Sequence, residues 1–178
     1  HKNLFSHIIG QIDDDNNGIS GIEKSLDKEL KTTKDLIRLT VDADIQFLIR
    51  EELLKFQKIF RAKGSAAILM DVNNGGIVSM VSLPDFNLNE RKVITNVDYI
   101  NRATKGVYEF GSVFKTFTVA AGFNENLIEP STEYLNLKKE IECNGFKIRE
   151  YNNKTPTDLT VEQILIRSGN IGSVRIGQ

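Results

Sequence analysis

Three features of the sequence predict an α+β chain with antiparallel strand pairing: a long amphipathic helix, a hairpin folded about an Asn/Gly turn, and a largely apolar helix after it. Asp42 reads as the N-cap of the first helix. Ile45, Leu48, Ile49, Leu53, Phe56 and Phe60 follow at helical spacing, with Glu51, Glu52, Lys55 and Lys58 on the wet side. The hairpin is read from Ser65-Ala66-Ala67-Ile68-Leu69-Met70-Asp71 and Ile77-Val78-Ser79-Met80-Val81, two short apolar runs around Asn73-Asn74-Gly75-Gly76. The apolar helix is expected from Ser112 through Val113, Phe114, Phe117, Val119, Ala120 and Ala121 to Gly122.

Residues 1–36 are polar and rich in turn formers, so they are expected to bury little and to lean on a neighbouring domain. Leu36-Ile37-Arg38-Leu39-Thr40-Val41 alternates like a strand. Residues 82–89 read as loop, and 123–158 give no assignment. Thr160 caps a short helix through Ile166, with Gln163 in the reciprocal capping-box position. There is no internal repeat.

Composition excludes several function classes. Apolar residues at 40% and charged residues at 26% are ordinary for a globular protein, and a net charge of −1 gives no reason for a nucleic-acid partner or a membrane-surface patch. Cys143 is the only cysteine, so neither an intrachain disulfide nor a cysteine-based zinc cluster can form. The chain begins with His1 rather than Met, and it is expected to be a piece of something longer.

Chemistry-bearing motifs are few. Asp13, Asp15, Asn17 and Gly18 match the opening of a calcium loop, but Lys24 stands where the bidentate carboxylate belongs, so a solvated turn is the reading kept. His1 and His7 have no partner at metal-ligand or triad spacing. Ser-x-x-Lys occurs twice, at Ser112-Val113-Phe114-Lys115 and Ser25-Leu26-Asp27-Lys28, and ten serines with fifteen lysines make about one chance match expected. Ser25 lies in a hydrated stretch. Ser112 opens an apolar helix, where free N–H groups stabilise developing negative charge. Lys115 lies one turn on, flanked by Phe114, Phe117 and Val119, which would partly desolvate it and favour the neutral amine. A neutral lysine can take the proton of a serine hydroxyl. The residues alone leave this level with a buried helix whose lysine reaches outward to water. Ser168-Gly169-Asn170 is the only Ser-x-Asn: a second hydroxyl for proton relay and an amide to orient a substrate amide, or simply a polar turn ending the helix.

The order Ser-x-x-Lys then Ser-x-Asn, fifty-six residues apart, resembles the penicillin-binding protein and serine β-lactamase superfamily, for which this motif set is known. Leu39-Thr40-Val41-Asp42-Ala43-Asp44-Ile45-Gln46 is similar to the stretch that opens these transpeptidase domains. Asp71-Val72-Asn73-Asn74-Gly75-Gly76-Ile77-Val78-Ser79-Met80 is similar to their hairpin. Asn101-Arg102-Ala103 with Tyr108-Glu109-Phe110-Gly111-Ser112-Val113-Phe114-Lys115-Thr116-Phe117-Thr118 is similar to the nucleophile block of class B enzymes, especially the septal (FtsI-type) branch. His7-Ile8-Ile9-Gly10 and Gly18-Ile19-Ser20-Gly21-Ile22-Glu23 resemble elements that close the class B pedestal domain. Phe110 stands in place of the usual Pro and Gly169 in place of Ser or Asp. No Lys-Thr-Gly or Lys-Ser-Gly strand occurs.

The resemblance implies an incomplete transpeptidase fold over residues 37–178, preceded at 1–36 by the end of a non-catalytic pedestal. It implies a peptidoglycan D,D-transpeptidase parent, anchored in the bacterial inner membrane with its catalytic domain periplasmic. Ser112 would be the nucleophile, Lys115 the base and Ser168 the relay, with Asn170 holding the substrate amide. Stem peptides and β-lactams would be the ligands, other division or cell-wall synthesis proteins the partners, and no metal or organic cofactor is implied. Without the Lys-(Thr/Ser)-Gly strand this chain is expected to be inactive alone, and an exposed sheet edge could support a dimer. Competing readings are a carboxypeptidase or β-lactamase on the same fold, and a penicillin sensor or divisome scaffold.

Overall fold

The computed structural model describes residues 2–90, 97–152 and 154–178. The chain forms two compact units, His1–Val107 and Tyr108–Gln178.

In the first unit, short helices α1 (Ser6–Ile9), α2 (Gly21–Ser25) and α3 (Asp27–Thr32) precede the long α4 (Ala43–Phe60), the strands β1 (Ser65–Met70) and β2 (Ile77–Leu83), and α5 (Arg102–Lys105). Asp42 caps α4 as expected, its Oδ1 accepting the N–H groups of Asp44 and Ile45, both at 2.9 Å. The hairpin also forms as expected, antiparallel from Ser65↔Leu83 to Met70↔Ile77 with a register shift between Leu69 and Met70. Its turn is closed by Asp71, whose carboxylate accepts from the Asn73 N–H and from the side chains of Asn73 and Asn74. Gly75, at φ 73°, takes a left-handed position that suits a residue without Cβ.

One buried side chain fastens α4 to the hairpin with four hydrogen bonds around it. Gln46 is buried; its Nε2 donates to the main-chain carbonyls of Leu4 (3.0 Å) and Met80 (2.9 Å), and its Oε1 accepts from the Ser79 hydroxyl (2.6 Å) and the Met80 N–H (2.9 Å). All four hydrogen-bonding sites of the amide are thereby used. Arg50, one turn later, forks onto Asp85, and Asn3 donates to the same carboxylate.

One expectation for this unit is corrected. The alternating run over residues 36–41 is not a strand: the Thr40 hydroxyl donates to the Ile77 carbonyl, and the Asp42 N–H just after it donates to the Val78 carbonyl. Residues 2–36 bury little, as expected: Leu4, Ser6 and Gly10 are buried, and His7 bonds the Asp98 carbonyl at 2.8 Å. On α4 the apolar stripe is only half covered. Ile45, Ile49 and Leu53 are partly buried, whereas Leu48, Phe56 and Phe60 are exposed, the two phenylalanines stacked on each other with centroids 6.1 Å apart.

The second unit opens with a 3₁₀ turn, Gly111–Phe114, which runs directly into α6 (Lys115–Asn124). The helix expected from Ser112 is thus tighter over its first turn. β3 (Glu133–Tyr134) pairs with β6 (Leu159–Thr160), and β4 (Glu140–Cys143) pairs with β5 (Phe146–Arg149), all antiparallel. α7 (Val161–Ile166) and α8 (Asn170–Ile176) follow. The capping box at α7 forms, with the Gln163 N–H donating to the Thr160 hydroxyl and the Thr160 N–H to Gln163 Oε1. Leu137, Leu159, Ile164 and Ile171 form one core cluster, and Val119, Ile128 and Val161 a second. Gly172 lets α8 lie directly on α7: a Cβ there would come within 2.7 Å of Ile164.

Candidate active site

The site is assembled by the junction of the 3₁₀ turn with α6 and by the turn between α7 and α8. Gly111, at φ 56°, reverses the chain just before Ser112. Phe110 takes φ −67°, close to the value a proline ring would enforce, so the substitution leaves the local path unchanged. Ser112 is exposed, and its hydroxyl makes no hydrogen bond among the described residues. Its main-chain carbonyl accepts the N–H of Lys115, which sets the two side chains one turn apart.

Lys115 opens α6 and points its ammonium into the 168–170 turn. Nζ donates to the Ser168 carbonyl (2.5 Å), the Ser168 hydroxyl (3.0 Å) and Asn170 Oδ1 (2.5 Å). Three donors meet three acceptors. Ser168 makes this possible by adopting φ 53°, a left-handed conformation unusual for a residue with a Cβ. Its hydroxyl is the only one of the three acceptors that can also donate, so it can return a proton to the amine once Lys115 is neutral.

Burial pushes the Lys115 ammonium below its usual range, and the negative charge of Glu150 partly opposes this. The 168–170 turn contributes through its contacts to Nζ. Of the apolar neighbours expected to shield Lys115, Val119 is buried, while Phe114 and Phe117 are 60% and 63% exposed and lie against each other with centroids 5.3 Å apart. The Asn170 amide is bound at both ends, since Nδ2 also donates to the Arg149 carbonyl at 2.7 Å. An open cavity of about 530 Å³ adjoins the group, with Gly111, Phe114, Lys115, Cys143, Ile148 and Asn170 in its wall.

The structure therefore brings Lys115, Ser168 and Asn170 into direct contact, and joins Ser112 to Lys115 through the main chain one turn before it. It also supplies a residue that sequence reasoning missed. Glu150 Oε2 accepts the Asn170 N–H at 3.0 Å and Oε1 the Ile171 N–H at 2.8 Å, closing the start of α8 from the end of β5. Spacing could not have found it, because β6 and α7 intervene. The twin motif is separated by the same geometry. Ser25 ends α2 and returns its hydroxyl to the Gly21 carbonyl, while Lys28 belongs to α3.

An α+β domain that holds a helix-start serine, a half-buried lysine and a Ser-x-Asn turn together has the composition of an active-serine acyl-transfer site. The family described as penicillin binding protein transpeptidase domain matches residues 65–178, and the chain belongs to that family. It is 28% identical over 177 residues to "Probable peptidoglycan D,D-transpeptidase FtsI" of Caulobacter vibrioides, covering 97% of this chain and 30% of that protein. To "Peptidoglycan D,D-transpeptidase FtsI" of Escherichia coli K12 it is 26% identical over 194 residues, covering 95% of this chain and 32% of that protein. The fold matches that of a peptidoglycan synthetase from Bifidobacterium adolescentis with a TM-score of 0.79 at 18% identity, over 98% of this chain and 36% of that chain. The chain thus spans about a third of the length of these relatives. Among the described residues no helix is long and apolar enough to cross a membrane.

Proposed function

We propose that this chain is the portion of a peptidoglycan D,D-transpeptidase that carries the nucleophile and its base. The observation that carries the reading is the Lys115 amine, held by Ser168 and Asn170 one turn from the free hydroxyl of Ser112. Family membership and the names of the relatives support the substrate class.

In this reading Ser112 Oγ bonds to the carbonyl carbon of the penultimate D-alanine of a stem peptide and gives its proton to Lys115 Nζ. The charge moves to the carbonyl oxygen, near the Ser112 N–H at the helix start. The C–N bond to the terminal D-alanine then breaks, and the proton reaches the departing nitrogen through the Ser168 hydroxyl. Asn170 orients the peptide amide with the donor and acceptor capacity left on its side chain. An amine of a second strand attacks the ester; its proton returns by the same route, and Ser112 Oγ leaves as a hydroxyl. A β-lactam enters the first half of this sequence, and its opened ring stays attached.

Residues 1–36 would close a pedestal domain, and the parent would be anchored in the inner membrane with this part periplasmic, alongside other cell-wall synthesis proteins. The 178 residues contain no Lys-(Thr/Ser)-Gly strand, so turnover by this chain alone would be slight. Ile68, Leu69 and Met70 on β1 are exposed, and the outer edge of that strand would pair with a further strand or, in isolation, with a second copy.

The test is intact-mass measurement of the full-length protein after incubation with a labelled penicillin. One equivalent of adduct is expected, and none in Ser112→Ala. Undiminished labelling of that variant overturns the proposal.

A further inference from the structure

Glu150 lies outside every motif read from the sequence, yet it touches the site at Asn170 and Ile171. It follows directly on β5, and its carboxylate spans the first two N–H groups of α8, with 3.0 Å to Asn170 and 2.8 Å to Ile171. The residue before it accepts the Asn170 side chain on its main-chain carbonyl at 2.7 Å. The end of the β4–β5 hairpin therefore holds Asn170 by backbone and side chain together, and Asn170 in turn holds Lys115. A carboxylate on unpaired helix N–H groups is a charge-assisted arrangement, stronger than its neutral counterpart.

The other charged groups on the packed elements are paired or exposed, Glu142 on β4 and Arg167 at the end of α7 among the exposed ones. Lys147 and Arg149 on β5 both pair with Glu140 on β4. Arg175 on α8 bonds Gln178 at its far end, and Glu162 on α7 is exposed. Among the described residues, Glu150 is the charge that acts to keep Lys115 protonated.

We propose that Glu150 is the positioning residue of this site: by clamping the N–H groups of Asn170 and Ile171 it holds the 168–170 turn in the form that grips Lys115. This rests on the transpeptidase reading above. It gives Glu150 two separable effects, one through geometry and one through charge. Loss of the clamp loosens three contacts to Nζ and lowers the acylation rate even where Lys115 is neutral. Loss of the charge removes the influence that opposes burial, so Lys115 gives up its proton at lower pH. Acylation needs the neutral amine, so its acid limb moves to lower pH.

The experiment follows acylation of the full-length protein by a labelled penicillin across pH, for wild type, Glu150→Gln and Glu150→Asp. Glu150→Gln keeps the shape but turns an acceptor oxygen into a donor facing an N–H. Its plateau rate should fall by about 10- to 100-fold, the usual consequence of a small misplacement near the reacting groups. Its acid-limb midpoint should move down. Glu150→Asp retains the charge and should recover the wild-type midpoint and part of the rate. A Glu150→Gln protein with wild-type plateau and midpoint overturns the proposal. So does a lowered plateau with an unmoved midpoint, which would mark a merely structural role. A wild-type protein that takes no label at any pH overturns the transpeptidase reading and this inference with it; normal wild-type labelling confines any failure to Glu150.

Discussion

Lys115→Ala should lower the rate of acylation by a penicillin by about 10²–10⁴-fold, the range typical of losing a positioned general base. The substitution removes the ammonium that bonds Ser168 and Asn170, and with it the acceptor for the Ser112 proton. Lys115→Arg should fare little better, although it restores positive charge. A guanidinium does not lose its proton in the working range, so it can bond the same oxygens without acting as a base. Both variants are checked by the time course of adduct formation in the full-length protein. Acylation of Lys115→Arg at the wild-type rate would mean that charge alone, and not proton transfer, is what Lys115 contributes.

Gln46→Leu should cost on the order of 4 kcal/mol of stability, at roughly 1–3 kcal/mol for each buried group left without a partner. Leucine fits the volume but strands the carbonyls of Leu4 and Met80, the Met80 N–H and the Ser79 hydroxyl. Against a typical domain stability of about 5–15 kcal/mol that is a large fraction. Equilibrium unfolding in urea measures it as a lowered midpoint with an unchanged slope. A shift below about 1 kcal/mol would mean that other groups or water replace the amide readily. Gln46 closes the stretch that begins at Leu39 and that suggested the family. Its role in the structure is to join the N-terminal segment, α4 and β2, so this part of the signature reports packing rather than chemistry.

The elements that were legible in the sequence are those whose signals are local. Asp42 before a helical stripe, Asn73-Asn74-Gly75-Gly76 between apolar runs, and Thr160 with Gln163 each specify their own turn or cap, and all three form. The β4–β5 hairpin carried a comparable signal that went unread. Asn144 and Gly145 join its strands with φ 51° and 82°, the two positive values that an Asn-Gly hairpin turn requires. β3 and β6 could not be read in this way. Each is two residues long and is defined only by its partner, Glu133 by Thr160 and Tyr134 by Leu159. The α4 stripe predicted a core face, but periodicity does not say what covers a face, and Phe56 and Phe60 lie exposed.

For the site, the sequence supplied residue types and the fold supplied their grouping. Ser112 with Lys115 had a chance twin in Ser25 with Lys28, which sequence context sets apart and geometry separates directly. In one pair the lysine is gripped by Ser168 and Asn170; in the other the serine bonds its own helix. Local spacing also does not show that the Lys115 amine is held by a turn 53 positions away. Glu150 was invisible for a related reason: its two hydrogen bonds link β5 to α8 across 20 and 21 residues, a distance no local motif records.

The central claim is that Ser112 is the acyl-accepting nucleophile. Its most direct test is proteolytic mapping of the full-length protein after reaction with a labelled penicillin. The account predicts that the adduct resides on the peptide containing Ser112 and Lys115, with fragment ions assigning it to the Ser112 oxygen. An adduct on the peptide containing Ser25, or on any residue other than Ser112, would contradict it.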